Sequence, residues 1–148
     1  MHWDALSVLA KKVQAGEVSA VSLVEESISR IHASDEYKAI IAVVRDRALE
    51  RAHFIDEEVG KNPGRLAGVP FIAKDNFLTF GSETTAASNI LKGFEAPYQS
   101  TVIERLEAEG AICVAKANLD AFAHGSSTDN SDFFTTLNAH DKTRVPGG

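Results

Sequence analysis

Lysine 74 stands where chemistry could begin. The stretch from Gly64 to Asn76 reads GRLAGVPFIAKDN, and in it an apolar run from Val69 to Ala73 delivers Lys74 and then stops at Asp75 and Asn76. A short apolar run bounded by Gly and Pro on one side and Asp and Asn on the other has the pattern of a buried strand ending in a tight turn. A lysine at the inner end of such a strand loses hydration, which lowers its pKa and makes the neutral amine accessible as a base. The competing reading is a lysine whose stem lies along the core while its head reaches water. This stretch alone leaves both open. Asp75 and Asn76 read as turn-forming, hydrogen-bonding supports around Lys74 rather than as acid–base groups.

The second place with chemical potential is the hydroxyl-rich loop Gly125-Ser126-Ser127-Thr128-Asp129-Asn130-Ser131. A serine activated by a lysine is a recognised route to acyl transfer, but spacing assigns no serine as the partner of Lys74. Ser126 and Ser127 have two readings: they wall a substrate pocket, or their hydroxyls satisfy backbone groups in a turn. The five histidines (His2, His32, His53, His124, His140) are scattered without metal-ligand spacing, so no metal site is expected. Cys113 lies inside an apolar run and reads as a small buried hydrophobe rather than a nucleophile. No nucleophile elbow, phosphate-binding loop or dinucleotide fingerprint occurs.

The elements that must position Lys74 follow from periodicity. Residues 4 to 15 and the segment capped by Ser19, or by Ser22 with Glu25 as a capping box, form a helical hairpin over residues 1 to 35. Tyr37 to Val44 is β-branched and apolar, a strand. Arg45 to Val59 is a helix closed by Gly60. Phe77 to Tyr98 is irregular, with a short helical turn at Asn89 to Leu91, and a loop of that length is usually functional. Ser100 caps an amphipathic helix that ends at Gly110, Ala111 to Ala115 is a further strand, and Asn118 caps a short helix from Leu119 to Ala123. Strand, helix and strand at these spacings give an α/β layered core over residues 36 to 148.

Composition narrows the function classes. The 148 residues are 44% hydrophobic and 24% charged with net charge −6, ordinary for a globular domain. The acidic balance argues against a nucleic-acid-binding surface. No apolar run approaches the ~20 residues needed to span a bilayer, and the start lacks a signal-peptide core. With one cysteine there is no internal disulfide, and a reducing compartment, the cytoplasm, is expected.

Gly64-Arg65-Leu66-Ala67-Gly68-Val69-Pro70 followed by Lys74-Asp75-Asn76 resembles the opening motif of the amidase signature family. Ser100-Thr101-Val102-Ile103-Glu104-Arg105-Leu106, Lys116-Ala117-Asn118-Leu119-Asp120 and Phe122 to Ser131 look most like the A subunits of glutamyl-tRNA(Gln) amidotransferases, and Arg144-Val145-Pro146-Gly147-Gly148 is similar to the start of the family's Gly/Ser-rich signature. The resemblance covers essentially the whole chain. It departs at Ala121, where the family often has Glu, and at Asn138-Ala139-His140-Asp141, which lacks the usual Pro-Trp.

The resemblance implies the amino-terminal portion of one amidase domain, a mixed sheet flanked by helices. It implies a Ser–cis-Ser–Lys triad with Lys74 as its lysine, and a pocket near Gly125, Ser126 and Ser127. Both triad serines fall after Gly147-Gly148 in the family pattern, so the 148 residues alone are expected to be inactive and, with apolar surface left open, poorly soluble. The implied reaction is glutamine hydrolysis supplying ammonia for the conversion of Glu-tRNA(Gln) to Gln-tRNA(Gln). No cofactor is needed here; the resemblance gives ATP and Mg to the B subunit, has the pair braced by the C subunit, and brings in tRNA only through the complex. A stand-alone amidase on another amide and a non-catalytic truncated homologue that binds a partner are the rival expectations.

Overall fold

The computed structural model describes residues 4–59 and 61–148; His2 and the helix stop at Gly60 lie outside the described residues. Helix α1 (Leu6–Gln14) buries Leu9, Ala10 and Val13 on one face, the three-to-four spacing that produces an apolar stripe. Helix α2 (Ala20–Ala33) answers with Leu23, Val24 and Ile28. Ser19, not Ser22, caps it: the Ser19 hydroxyl accepts the Ser22 amide at 3.3 Å. The cap is reinforced by Asp56, whose carboxylate accepts the Ala20 amide at 2.6 Å and the Ser19 hydroxyl at 2.7 Å. A carboxylate at a helix N-terminus meets unpaired amides and the positive end of the dipole.

Strand β1 is shorter than its apolar pattern predicts, Ile40–Val43. A 3₁₀ turn, Asp35–Tyr37, occupies the start of that run and ends on Lys38 with φ at +50°. Helix α3 (Arg45–Glu57), strand β2 (Pro70–Lys74), helix α4 (Thr101–Ala108) and strand β3 (Ile112–Ala117) complete the core, and a 3₁₀ turn forms at Asn89–Leu91 where the sequence places one. The sheet runs β1–β3–β2, with β1 antiparallel and β2 parallel to the central β3. This is the mixed α/β fold read from the sequence. Helices α1 to α3 and β3 share a cluster built on Leu9, Val13, Val24, Ile55 and Ile112, while Val44, Ala73, Ile103 and Cys113 form a second with Phe71 and Phe77.

Two expectations about caps fail. Ser100 stands at the N-cap position of α4 with extended backbone, but its hydroxyl makes no bond. Asn118 caps nothing. Its side-chain amide reaches forward to the Phe134 carbonyl and the Thr136 hydroxyl, both at 2.9 Å. The helix expected at Leu119 to Ala123 is a single 3₁₀ turn, Ala121–Ala123, broken by Phe122 at φ +55°.

Gly64 of GRLAG and Gly110 at the α4–β3 turn have a steric cause. A Cβ at Gly64 would lie 2.3 Å from the Glu109 carbonyl oxygen, and one at Gly110 would lie 2.3 Å from the Pro63 carbonyl oxygen. The loop before β2 is thereby laid against the α4–β3 turn, where Leu66 donates to the Glu109 carbonyl at 2.7 Å and Gly68 to the Gly110 carbonyl at 3.0 Å. That contact fixes where β2 begins and therefore where Lys74 ends. Among the described residues no helix is long and apolar enough to cross a membrane.

Candidate active site

Lys74 is the last residue of β2 and is half-buried, not enclosed. Among the described residues its ammonium has no hydrogen-bond or ion-pair partner. The fully buried lysine is Lys116. The register explains the difference. Lys116 pairs with Ala73 and Lys74 with Ala117 across parallel strands, and successive residues of a strand point to opposite faces. The two lysines therefore leave the sheet on opposite sides. Burial, the premise for a perturbed Lys74, belongs to its neighbour.

Asp75 follows Lys116 rather than Lys74. Its side chain is fully buried, with Oδ1 ion-paired to Lys116 Nζ at 2.8 Å and Oδ2 accepting from the Thr85 amide at 3.0 Å and from the Thr85 hydroxyl. Lys116 also donates to the Phe77 carbonyl at 3.1 Å and the Thr84 hydroxyl at 3.3 Å. A buried ion pair needs further hydrogen bonds to offset its desolvation, and here Asp75 Oδ2 and Lys116 Nζ supply them. The pair clamps the turn after Lys74 and the strap from Thr84 to Ala87 onto the end of β3. Asn76 is exposed. The Asp75 carboxylate, expected as a support around Lys74, instead pairs with Lys116 and Thr85 on the face away from Lys74.

A different carboxylate organises the loop that follows β3. Asp120 is 1% exposed, and its oxygens accept the amides of Ser127 at 3.2 Å, Thr128 at 3.0 Å and Asn130 at 3.3 Å. Burial pushes its carboxyl up, but those amides, together with the nearby positive charge of Lys74, hold it below the usual carboxylate value. The loop Gly125 to Asn130 is thus wound around Asp120. Gly125 is required there, because a Cβ would lie 2.3 Å from Asp120 Cγ.

The two candidate serines part company. The Ser127 hydroxyl donates to the Asp129 carboxylate, a bond inside the turn. Ser126 is exposed, and a Cβ on Gly148 would come within 2.5 Å of its Cα. The Thr128 hydroxyl donates to the Gly147 carbonyl. The Gly125–Asn130 loop and the Gly147-Gly148 segment therefore gather around Asp120. Backbone strain gathers there too: Ala86, Ala87, Phe122, Ala123 and Thr128 all have φ between +49° and +60°, a region that costs residues with a side chain. The strained pairs hold one another, since Phe122 donates to the Ala86 carbonyl at 2.9 Å.

Lys116 and Asp120 were legible only as letters of a motif. Alternation along ICVAKA could have flagged Lys116 as an inward-facing polar residue, whereas nothing local marks Asp120 as the centre of a loop. Cys113 is fully buried, and burial pushes its thiol up, which disfavours the thiolate. Among the described residues no group of three His, Cys, Asp or Glu side chains could hold a metal. An apolar groove of about 930 Å³ lies elsewhere, lined by residues such as Leu6, Ile31, Tyr37, Ile40 and Ile72, and includes none of the predicted site residues.

The amidase family model matches residues 22–148. The chain belongs to the amidase family. It is 45% identical, over its whole length, to the A subunit of glutamyl-tRNA(Gln) amidotransferase from Carboxydothermus hydrogenoformans, of which it spans 31%. The structure of the same subunit from Thermotoga maritima matches 87% of this amidase chain at 41% identity and a TM-score of 0.72, with 26% of that chain covered. Native peptide amidase from Stenotrophomonas maltophilia matches 97% of this chain at 29% identity and a TM-score of 0.85, with 31% of that chain covered. The chain thus spans about a third of the length of the proteins it is similar to.

Proposed function

We propose that these 148 residues are the lysine-bearing, amino-terminal portion of a single amidase domain that hydrolyses glutamine as the A subunit of a glutamyl-tRNA(Gln) amidotransferase. The observation that carries the reading is the chain's 45% identity throughout to a protein of that name, with Lys74 at the end of β2 and the Asp120-centred loop holding Gly147-Gly148. An unpaired amine at the end of a strand, accessible yet fixed by its backbone, suits a group that takes a proton from a nucleophile. In this proposal Lys74 is that base, acting through the family's two serines, and Gly125, Ser126 and Ser127 wall the substrate pocket. The chain as given supplies the lysine and not those serines, so by itself it is inactive.

The released ammonia would convert Glu-tRNA(Gln) to Gln-tRNA(Gln) in the cytoplasm, with ATP and Mg handled by the B subunit and the assembly braced by the C subunit. The net charge of −6 supports leaving tRNA contact to a partner. A second reading, a stand-alone amidase on another amide, is favoured by one observation: the structure follows the peptide amidase more closely than the Thermotoga subunit, TM-score 0.85 against 0.72. Substrate profiling of the complete protein containing this chain separates the two. Glutamine hydrolysis that depends on the partner subunits supports the first reading, and turnover of peptide or other amides without partners supports the second.

A further inference from the structure

The ammonium of Lys74 has no hydrogen-bond or ion-pair partner among the described residues, so the side chain stands where its backbone places it. That backbone is held from the far side of the sheet. The Lys74 carbonyl accepts the Phe77 amide at 3.0 Å, and the Phe77 carbonyl in turn accepts the ammonium of Lys116 at 3.1 Å. Between them the Asp75 amide donates to the Ala117 carbonyl at 3.0 Å, while the Asp75 carboxylate is ion-paired to the same Lys116 ammonium at 2.8 Å. The turn after Lys74 is thus closed on itself and tied to β3, with Lys116 at the common end of the side-chain ties. The strap grips the other side. Thr85 gives its amide, at 3.0 Å, and its hydroxyl to Asp75 Oδ2, Ala86 gives its amide to the Asp75 carbonyl at 3.0 Å, and Lys116 reaches the Thr84 hydroxyl at 3.3 Å. The strap is itself anchored, since the Ala86 carbonyl accepts the Phe122 amide at 2.9 Å and the Ala87 carbonyl accepts the Asp132 amide at 3.0 Å.

A fully buried ion pair is a poor device for stability alone, because well-packed hydrophobic side chains of similar volume often match or exceed it. What charged groups add is direction, since they bond carbonyls, amides and hydroxyls in fixed geometry. We propose that Lys116 and Asp75 are the positioning residues of this site: buried on the face opposite Lys74, they fix the turn from Asp75 to Phe77 and so set where the amine of Lys74 stands. The proposal rests on Lys74 being the base of the amidase. A displacement of about 1 Å in a reacting group can cost about a hundredfold in rate, so a turn released from β3 is felt in the chemical step even where the fold survives.

The test uses the complete protein that holds these residues and reads ammonia released from glutamine, or from whichever amide that protein turns over. Asp75→Asn/Lys116→Met removes both charges and strands neither. It is expected to keep the folded signal and to lower kcat at least about tenfold, with KM within about twofold of wild type. The loss is expected to vanish in a Lys74→Ala background, where no base is left to position. Ile55→Val, in the cluster of helices α1 to α3 with β3, controls for destabilisation as such: its melting temperature falls while kcat stays at the wild-type value. A double variant with kcat close to wild type, a loss carried by KM, or a further loss of equal size on top of Lys74→Ala overturns the proposal. So does an Ile55→Val protein that loses as much kcat as the double variant.

Should the double variant not fold, Thr84→Val decides. It takes one acceptor from Lys116 Nζ and leaves the ion pair in place. A fall in kcat of about threefold at unchanged KM is expected, the worth of one hydrogen bond, and an unchanged kcat overturns the proposal. Failure of the reading beneath is seen separately. Lys74→Ala hydrolysing at close to the wild-type rate removes the base itself, whereas an inactive Lys74→Ala beside a fully active double variant removes only the positioning role.

Discussion

At the scale of single residues, the structure exchanges the environments of two lysines. The sequence leads to Lys74 because an apolar run ends on it, yet strand alternation encloses Lys116 and leaves Lys74 half-exposed. Reading the faces of β2 requires knowing which strand lies beside it, and the long stretch of chain between the paired Ala73 and Lys116 hides that. The Lys116–Asp75 pair makes a sharp prediction. Asp75→Ala strands a buried ammonium and is expected to destabilise the chain by about 3–5 kcal/mol, while Asp75→Asn/Lys116→Met costs far less than the sum of its parts. Urea unfolding measures both, and additive costs would show that the two charges do not act as a pair. Cys113 makes a second: its buried, raised thiol is expected to react with a disulfide reagent only as the chain unfolds.

Secondary-structure elements were largely legible, because each carries its own periodicity. The apolar stripes of α1, α2 and α4 and the β-branched runs of β1 to β3 lie where the sequence places them. Their ends were less legible. The Ser100 cap and the Asn118 helix failed because a hydroxyl or amide that looks free in sequence finds another partner, or none, once loops fold back. The cluster joining α3, α4 and the loop before α4 was invisible for the same reason. Glu107 in α4 receives Arg47 at 2.6 and 2.7 Å and Gln99 at 2.7 Å, with Arg51 beside it.

Burial pushes the Glu107 carboxyl up, but these bonds and charges hold it below its ordinary 4.5. A depressed carboxylate contributes stability that is present above its unfolded value and lost as pH falls through its folded one. Thermal stability is therefore expected to fall steadily below about pH 4.5, and Glu107→Gln should flatten that slope while lowering stability at pH 7. An unaltered slope in the variant would assign the acid sensitivity to other groups. The glycine at the α4–β3 turn makes a further prediction. Gly110 sits at φ +88° against the Pro63 carbonyl, so Gly110→Ala is expected to cost more than about 1 kcal/mol, read as a lowered urea midpoint.

The whole molecule presents an open side. The apolar groove of about 930 Å³ and the exposed side chain of Ile72 on β2 leave hydrocarbon open at the surface. The 148-residue chain is expected to bind a hydrophobic dye and to self-associate, and sedimentation as a sharp monomer would count against that. Family membership was legible in the sequence through two motif blocks in order, because such blocks record backbone requirements such as those of Gly64 and Gly125. The Asp120 hub, around which the loop of the second block winds, was not.

The central claim is that Lys74 is the base of a glutamine-hydrolysing site, and ammonia release from glutamine by the complete protein that holds these residues tests it most directly. Lys74→Ala is expected to lower that rate by at least about a hundredfold without changing the folded signal. A Lys74→Ala protein that still releases ammonia at a rate close to wild type would contradict it.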